Sequence, residues 1–224
     1  MAKPIIAIDG PAASGKGTLA RALAEKLGFA HMDTGALYRA AAFELITSGL
    51  STRDEKDAVD AAQILVKKIK NAEKPADILD NLSLREDRIG QQASKIAAYP
   101  TVREILNGLQ RSFIENPGNV FSGSVLDGRD IGTVIAPHAP LKLFITASAE
   151  IRAKRRLKEL QSKGLTVTYE AVLKDMRERD ARDAERKTAP MKPAGDAVTI
   201  DSSNLDAGQM LEKALFLARE RLKL

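Results

Sequence analysis

Hydrophobic spacing along this chain changes period several times, and each change marks an element. Pro4 to Ile8 is a short apolar, β-branched run ending at Asp9, as in a parallel strand covered on both faces. From Lys16 to Leu27 the period turns helical, with Leu19, Leu23 and Leu27 every fourth residue and Gly28 where a C-cap belongs. A second strand is predicted over Phe29 to Met32, then a helix towards Ile46 whose first turn is Asp33-Thr34-Gly35. Ser51 or Thr52 starts another helix, with Asp54 and Glu55 in its first turn and Val59, Ala62, Val66 and Ile69 on one face. Ile78 to Leu84 reads as a small, mostly polar β excursion. Gly90 to Ala98 is a short helix, and Thr101 to Glu104 (Thr-x-x-Glu) reads as a capping box opening a helix that Pro117-Gly118 closes. Strands follow at Val120 to Leu126, Leu141 to Ile145 and Ala197 to Ile200. The last helix carries Leu211, Ala214, Leu215, Ala218 and Leu222 on one stripe.

Strands separated by helices imply right-handed crossovers, hence an α/β fold with a five-stranded parallel sheet and helices on both faces. Ligands bind such sheets beyond the strands' carboxyl ends, so the loops after Ile8, Met32 and Leu126 should converge on one crevice. Residues 51–115 and 150–190 read as excursions from a core formed by 1–50, 116–150 and 191–224, all within one domain.

Composition narrows the chemistry. The 224 residues contain no cysteine, and histidine occurs only at 31 and 138, which excludes thiolate nucleophiles, iron–sulfur clusters, Cys-ligated zinc and thiol redox couples. His31 and His138 read as structural or surface residues. The apolar run before Asp9 is too short for a signal peptide or a membrane span, so a cytoplasmic location is expected. Lys and Arg exceed Asp and Glu by 35 to 30, and residues 150–192 hold the whole excess, 13 against 8. A single Arg-dense segment in an otherwise balanced chain suggests a compact anionic ligand rather than a nucleic acid. That segment also lacks the interleaved aromatics of a single-strand binder, since Tyr169 is its one aromatic residue.

Gly10-Pro11-Ala12-Ala13-Ser14-Gly15-Lys16-Gly17-Thr18 fits GxxxxGK between a predicted strand and a predicted helix. Glycines permit torsions that turn successive amides inward, the helix presents its positive end, and Lys16 adds a charge that reaches transferring phosphates. The hydroxyl usually next to the lysine is displaced to Thr18, because Gly17 occupies that place. This GKGT form is similar to nucleoside monophosphate kinases rather than signalling GTPases, and the Asn-Lys-x-Asp element of guanine-specific switches does not occur. Thr18 could meet a phosphate or a magnesium-bound water, and Asp127, at a strand end, could orient such a water. Asp130 could accept hydrogen bonds from a bound nucleotide. Asp127 or Asp130 could instead simply pair with Arg129 or Arg39.

Asp33 to Arg39 (DTGALYR) reads by itself either as a capped helix with a solvent-facing arginine or as a second phosphate site. Taken with the glycine loop, ASKIAAYPTVRE (Ala93 to Glu104), LDGRDIGTVI (Leu126 to Ile135) and RERDARDAERKTAP (Arg177 to Pro190), it closely resembles the bacterial cytidylate kinases, in the family's order and over nearly the whole chain. The resemblance implies a P-loop kinase fold with an NMP-binding insert (about 51–115) and an Arg-rich lid (about 150–190). It implies transfer of the γ-phosphoryl group of ATP to CMP or dCMP with Mg2+, in pyrimidine nucleotide metabolism. Gly10 to Thr18 would hold ATP. Thr34, Arg39, Ser94, Arg103, Arg129 and Asp130 would surround the monophosphate, with Arg179, Asp183 and Arg186 approaching on closure. The family's β-rich insert is longer than residues 72–90 here, which leaves that insert's strand count open.

Phosphoryl transfer needs positioning and charge neutralisation more than a covalent participant, and Lys16, Arg129, Arg179 and Arg182 are the groups to supply it. Arg179, Arg182 and Arg186, spaced three and four apart, can share a helix face. Arg177 reads as a solvated partner of Glu178 or Asp180, and a charge-laced surface helix is the competing reading of the whole segment. Small nucleotides are the expected partners, with no nucleic acid, no membrane and a monomeric chain.

Overall fold

The computed structural model describes residues 3–223. In chain order the elements are β1 (Ile5–Asp9), α1 (Lys16–Leu27), β2 (Ala30–Asp33), α2 (Thr34–Thr47), α3 (Glu55–Asn71), α4 (Pro75–Leu79), a 3-10 turn (Leu82–Arg85), α5 (Asp87–Ile96) and α6 (Pro100–Glu115). There follow β3 (Ser124–Gly128), a π turn (Ile131–Ile135), β4 (Leu141–Thr146), α7 (Ala149–Ser162), α8 (Tyr169–Glu185), β5 (Val198–Asp201) and α9 (Ala207–Leu222).

The five strands form one sheet in the order β2–β3–β1–β4–β5. β1 lies at its centre and pairs in parallel with both neighbours, setting Ile8 beside Asp127 on one side and Leu143 on the other. Ile6, Ala7 and Ile8 are fully buried, which is why this strand reads as an unbroken apolar run rather than an alternating one. Leu19 and Leu23 of α1 and Ala214 and Ala218 of α9 join Ile6, Ile8, Leu143 and Ile200 in the main core. The connection from β3 to β4 crosses past β1, so the strand order reverses there, the position at which parallel sheets of this kind bind ligands beyond their carboxyl ends.

The chain divides into two compact units: residues 1–32, 116–185 and 189–224, which contain the sheet core, and residues 33–115 with 186–188, which contain α2 to α6. In the second unit α2 packs against α3 and α5, and α3 packs against α6.

All five predicted strands form, but β3 begins at Ser124 rather than Val120, which is exposed, and runs on to Gly128. Between residues 34 and 123 no strand occurs among the described residues, so the β excursion at Ile78 to Leu84 is corrected to α4 and the 3-10 turn. Pro75 stands in the first turn of α4, and the Asn81 carboxamide accepts from Ser83 N at 3.0 Å to start the 3-10 turn. The cap of α3 is Asp54, whose carboxylate accepts from Lys56 N at 2.8 Å, not Ser51 or Thr52. Its buried face is Ala58, Ala61, Ala62 and Leu65, rotated from the predicted stripe, of which only Ala62 is fully covered. Thr101 does not cap α6, since Pro100 already occupies the helix and Arg103 N bonds to Tyr99 O at 3.2 Å. The Thr101 hydroxyl instead reaches Glu55 at 3.1 Å.

Candidate active site

β1 ends at Asp9, and the chain passes Gly10 at a φ of 145°. A Cβ there would stand 2.0 Å from the Ile145 carbonyl oxygen of β4, so only glycine fits. Ala13 and Gly15 both adopt the left-handed region, at φ 57° and 90°. Such turns aim neighbouring amides at a common point and make an anion-binding concavity. Gly15 precedes α1 and brings no capping side chain, which leaves the helix's first amides for a ligand. Lys16 is buried along its stem and its Nζ donates to Pro11 O at 3.2 Å, folding the ammonium over the loop. Thr18 is exposed on the first turn.

The loop is braced from outside. Ser202, just past β5, donates from its hydroxyl to Ser14 O at 2.8 Å and accepts from Arg155 Nη1 at 3.0 Å. Arg152 of α7 donates from Nη1 to Ala12 O at 3.3 Å, from Nε to Ala147 O at 2.9 Å and from Nη2 to Asp180 of α8 at 2.6 Å. One buried guanidinium thus ties both α7 and α8 to the phosphate loop.

Asp127 on β3 is buried, with Oδ2 2.9 Å from His31 Nε2. Its Oδ1 lies 3.7 Å from where a Cβ on Gly17 would stand, which sets the carboxylate against the start of α1. Arg129 Nε donates to Asp183 Oδ2 at 3.0 Å, with both side chains mostly covered. This pair joins the turn after β3 to α8 across 54 residues of sequence. Asp130 is buried at the head of the π turn. The predicted alternatives for the two aspartates are therefore corrected: Asp127 faces His31, Arg129 takes Asp183, and Arg39 takes Asp33.

Arg179 and Arg182 lie half-buried on α8. Arg186 follows the end of that helix, so it does not share a helical face with them. Arg177 bonds Glu150 at 2.8 Å rather than Glu178 or Asp180, and both partners are exposed.

In the second unit Thr34 opens α2, buried behind the Asp33 cap, whose carboxylate also accepts from Arg39 Nη2 at 2.7 Å. Ser94 is buried on α5. Arg103 of α6 is 2% exposed and lies over the Tyr38 ring at 5.6 Å from its centroid, a cation–π stack. Its Nη1 donates to Ala97 O at 3.4 Å. Arg186 also belongs to this unit.

Sequence reasoning missed Asp9, the His31–Asp127 pair, Tyr38 and Arg152. Asp9 carried a faint signal, a charged residue closing an apolar strand next to the glycine loop. Its carboxylate is buried and accepts from Ile131 N and Gly132 N at 2.8 Å each. Burial pushes its pKa up to about 6, against the lowering effect of those two amides.

Among the described residues no group of three or more His, Asp or Glu could hold a metal, and no helix is long and apolar enough to cross a membrane. Thr18 and Asp127 offer oxygen donors beside the loop. That set fits a hard divalent cation held mostly by phosphates and water.

A family model described as cytidylate kinase matches residues 6–220. The chain is 53% identical over 211 residues to a cytidylate kinase of Rhodospirillum rubrum, covering 94% of this chain and 95% of that protein. It is 53% identical to a cytidylate kinase of Paramagnetospirillum magneticum with the same coverage. Among solved structures, an uncharacterized protein from Eubacterium ventriosum superposes with a TM-score of 0.52 at 16% identity, covering 98% of this chain and all of that one; this likeness concerns the fold alone.

Proposed function

The chain belongs to the cytidylate kinase family, and we propose that it transfers the γ-phosphoryl group of ATP to CMP or dCMP with magnesium, giving ADP and CDP or dCDP. The observation that carries this reading is identity to cytidylate kinases sustained across 94% of the chain. Beside it stands a phosphate-shaped loop at the switch point of the sheet.

An oxygen of the acceptor's phosphate attacks the γ-phosphorus; a new P–O bond forms, and the bond to the bridging oxygen of the leaving diphosphate breaks. That acceptor oxygen is ionised at neutral pH, so no general base is required. The loop Gly10–Thr18 holds the donor's phosphates through its amides, and Lys16 swings from Pro11 O to the charge that builds on the leaving side. Arg129, Arg179 and Arg182 neutralise the transferring group. Thr34, Arg39, Ser94, Arg103, Asp130, Asp183 and Arg186 receive the acceptor together with Arg129 and Arg179. Magnesium, when bound, neutralises donor phosphate charge, and Thr18 and Asp127 would hold it through water.

α7 and α8 act as a lid that excludes water from the transfer, and the chain works as a cytoplasmic monomer on free nucleotides. A coupled assay of ADP release with CMP, dCMP, UMP, AMP and shikimate tests the reading. CMP among the best acceptors is the expected result, and its absence from the best acceptors would overturn the reading.

A further inference from the structure

Asp9 sits where two functional segments meet. It is the last residue of β1, so Gly10 and the phosphate loop follow directly. Its carboxylate is 4% exposed and both oxygens are engaged: Oδ1 accepts from Ile131 N and Oδ2 from Gly132 N, each at 2.8 Å, across 122 and 123 residues of sequence. Those amides belong to the two residues directly after Arg129 and Asp130. The π turn that starts there is capped by Asp130 without any side-chain cap bond, so the carboxylate of Asp9 takes up amides that a helix start otherwise leaves open.

The fit is close on the other side too. A Cβ on Gly132 would stand 3.4 Å from Asp9 Oδ2 and 3.2 Å from Cδ of Lys142, so the turn packs directly against both side chains. Lys142 itself is held away by Asp196, which its Nζ meets at 2.9 Å through both oxygens, and by the Pro137 carbonyl. The charges that reach Asp9 most strongly are those of Asp130 and Arg129.

We infer that Asp9 is a positioning residue for the acceptor nucleotide: by gripping two consecutive amides it fixes the backbone that aims Arg129 and Asp130, and locks that turn to the strand carrying the phosphate loop. This rests on the reading that Arg129 and Asp130 bind the acceptor monophosphate. Arg129 has a brace at its far end, the Asp183 carboxylate, and Asp9 supplies the one at its root. A purely structural role would affect both nucleotides alike. A positioning role acts on the acceptor, because the donor loop keeps its separate braces from Ser202 and Arg152.

The test is Asp9→Asn, which keeps the shape but turns one acceptor into an NH2 group facing an amide N–H. Expected is a rise of about tenfold or more in KM and Kd for CMP, with KM for ATP within about twofold of wild type. On an Asp130→Asn background the same change should cost much less than on wild type, because both act on one turn. Should Asp9→Asn fail to fold, Asp9→Glu, which keeps the charge but carries the carboxylate one methylene out of register with the two amides, is expected to give the same split. Equal losses for ATP and CMP, an unchanged CMP constant, or effects that multiply fully with Asp130→Asn would overturn the inference. A wild-type chain that binds no CMP would overturn the functional reading as well, whereas a CMP-binding wild type with an indifferent Asp9→Asn overturns this inference alone.

Discussion

A methyl group on residue 10 would have to occupy the space of the Ile145 carbonyl oxygen, 2.0 Å away, on a backbone that side chains rarely adopt. Gly10→Ala should therefore destabilise the chain by about 3 kcal/mol or more, measured by urea unfolding; a loss under about 1 kcal/mol would show that the strand end yields easily. Lys16→Met keeps most of the buried stem and removes only the charge, so it should lower kcat by about 10²–10³-fold with little change in the unfolding midpoint. An equal fall in stability would make Lys16 structural. Both residues were legible in the sequence as members of one contiguous nine-residue motif, although the Ile145 carbonyl of β4 that bars a side chain at residue 10 was not. Asp9 and Gly132 were not, since each is explained by a neighbour more than a hundred positions away. His31 was equally hidden: its partner Asp127 is 96 residues distant, and only the pairing of strands brings them together.

At the scale of elements, periodicity succeeded where long apolar side chains mark the buried face, misplaced that face in α3, where three of the four buried residues are alanines, and failed where little is buried. The strands and α1 and α9 bury long apolar faces, and their spacing showed it, whereas α2 was read from the capping turn at Asp33. α4 buries nothing and the following 3-10 turn buries only Leu84, so local capping decided what hydrophobic pattern could not. The Arg-rich segment forms α7 and α8, which share a small core of Ala153, Leu160, Val172 and Met176. A core this small predicts that the pair opens more easily than the sheet it flanks. Amide exchange across residues 150–190 should slow on saturation with both nucleotides, and equal rates with and without them would contradict a lid. Arg152→Met cuts the tie from α7 to Ala12 O and Asp180 while keeping the packed stem. It should speed exchange in α8 and raise KM for ATP several-fold, whereas an effect confined to CMP would place the tie elsewhere.

For the molecule as a whole, one buried carboxylate gives stability a pH signature that runs against the usual trend. The folded chain raises the Asp9 pKa from 3.8 to about 6, so between these values the folded state binds a proton that the unfolded chain has released. Stability from this group is full below about pH 3.8 and is lost as pH rises through about 6. Surface carboxylates such as Glu150, held down by its own backbone amide and then by Arg177, have lowered values and act in the opposite sense, so total stability against pH would mix the two. Asp9→Asn separates them, because the amide does not titrate and every other group is common to both proteins. The difference in unfolding free energy between wild type and variant should move in favour of wild type by about 2 kcal/mol from pH 7.5 to pH 4.5. A flat difference would mean that the amides of Ile131 and Gly132 offset desolvation fully, leaving Asp9 an ordinary carboxylate. A shift favouring the variant would mean that they outweigh it. In either case the grip on the turn after β3 would hold at lower pH than the burial of Asp9 implies.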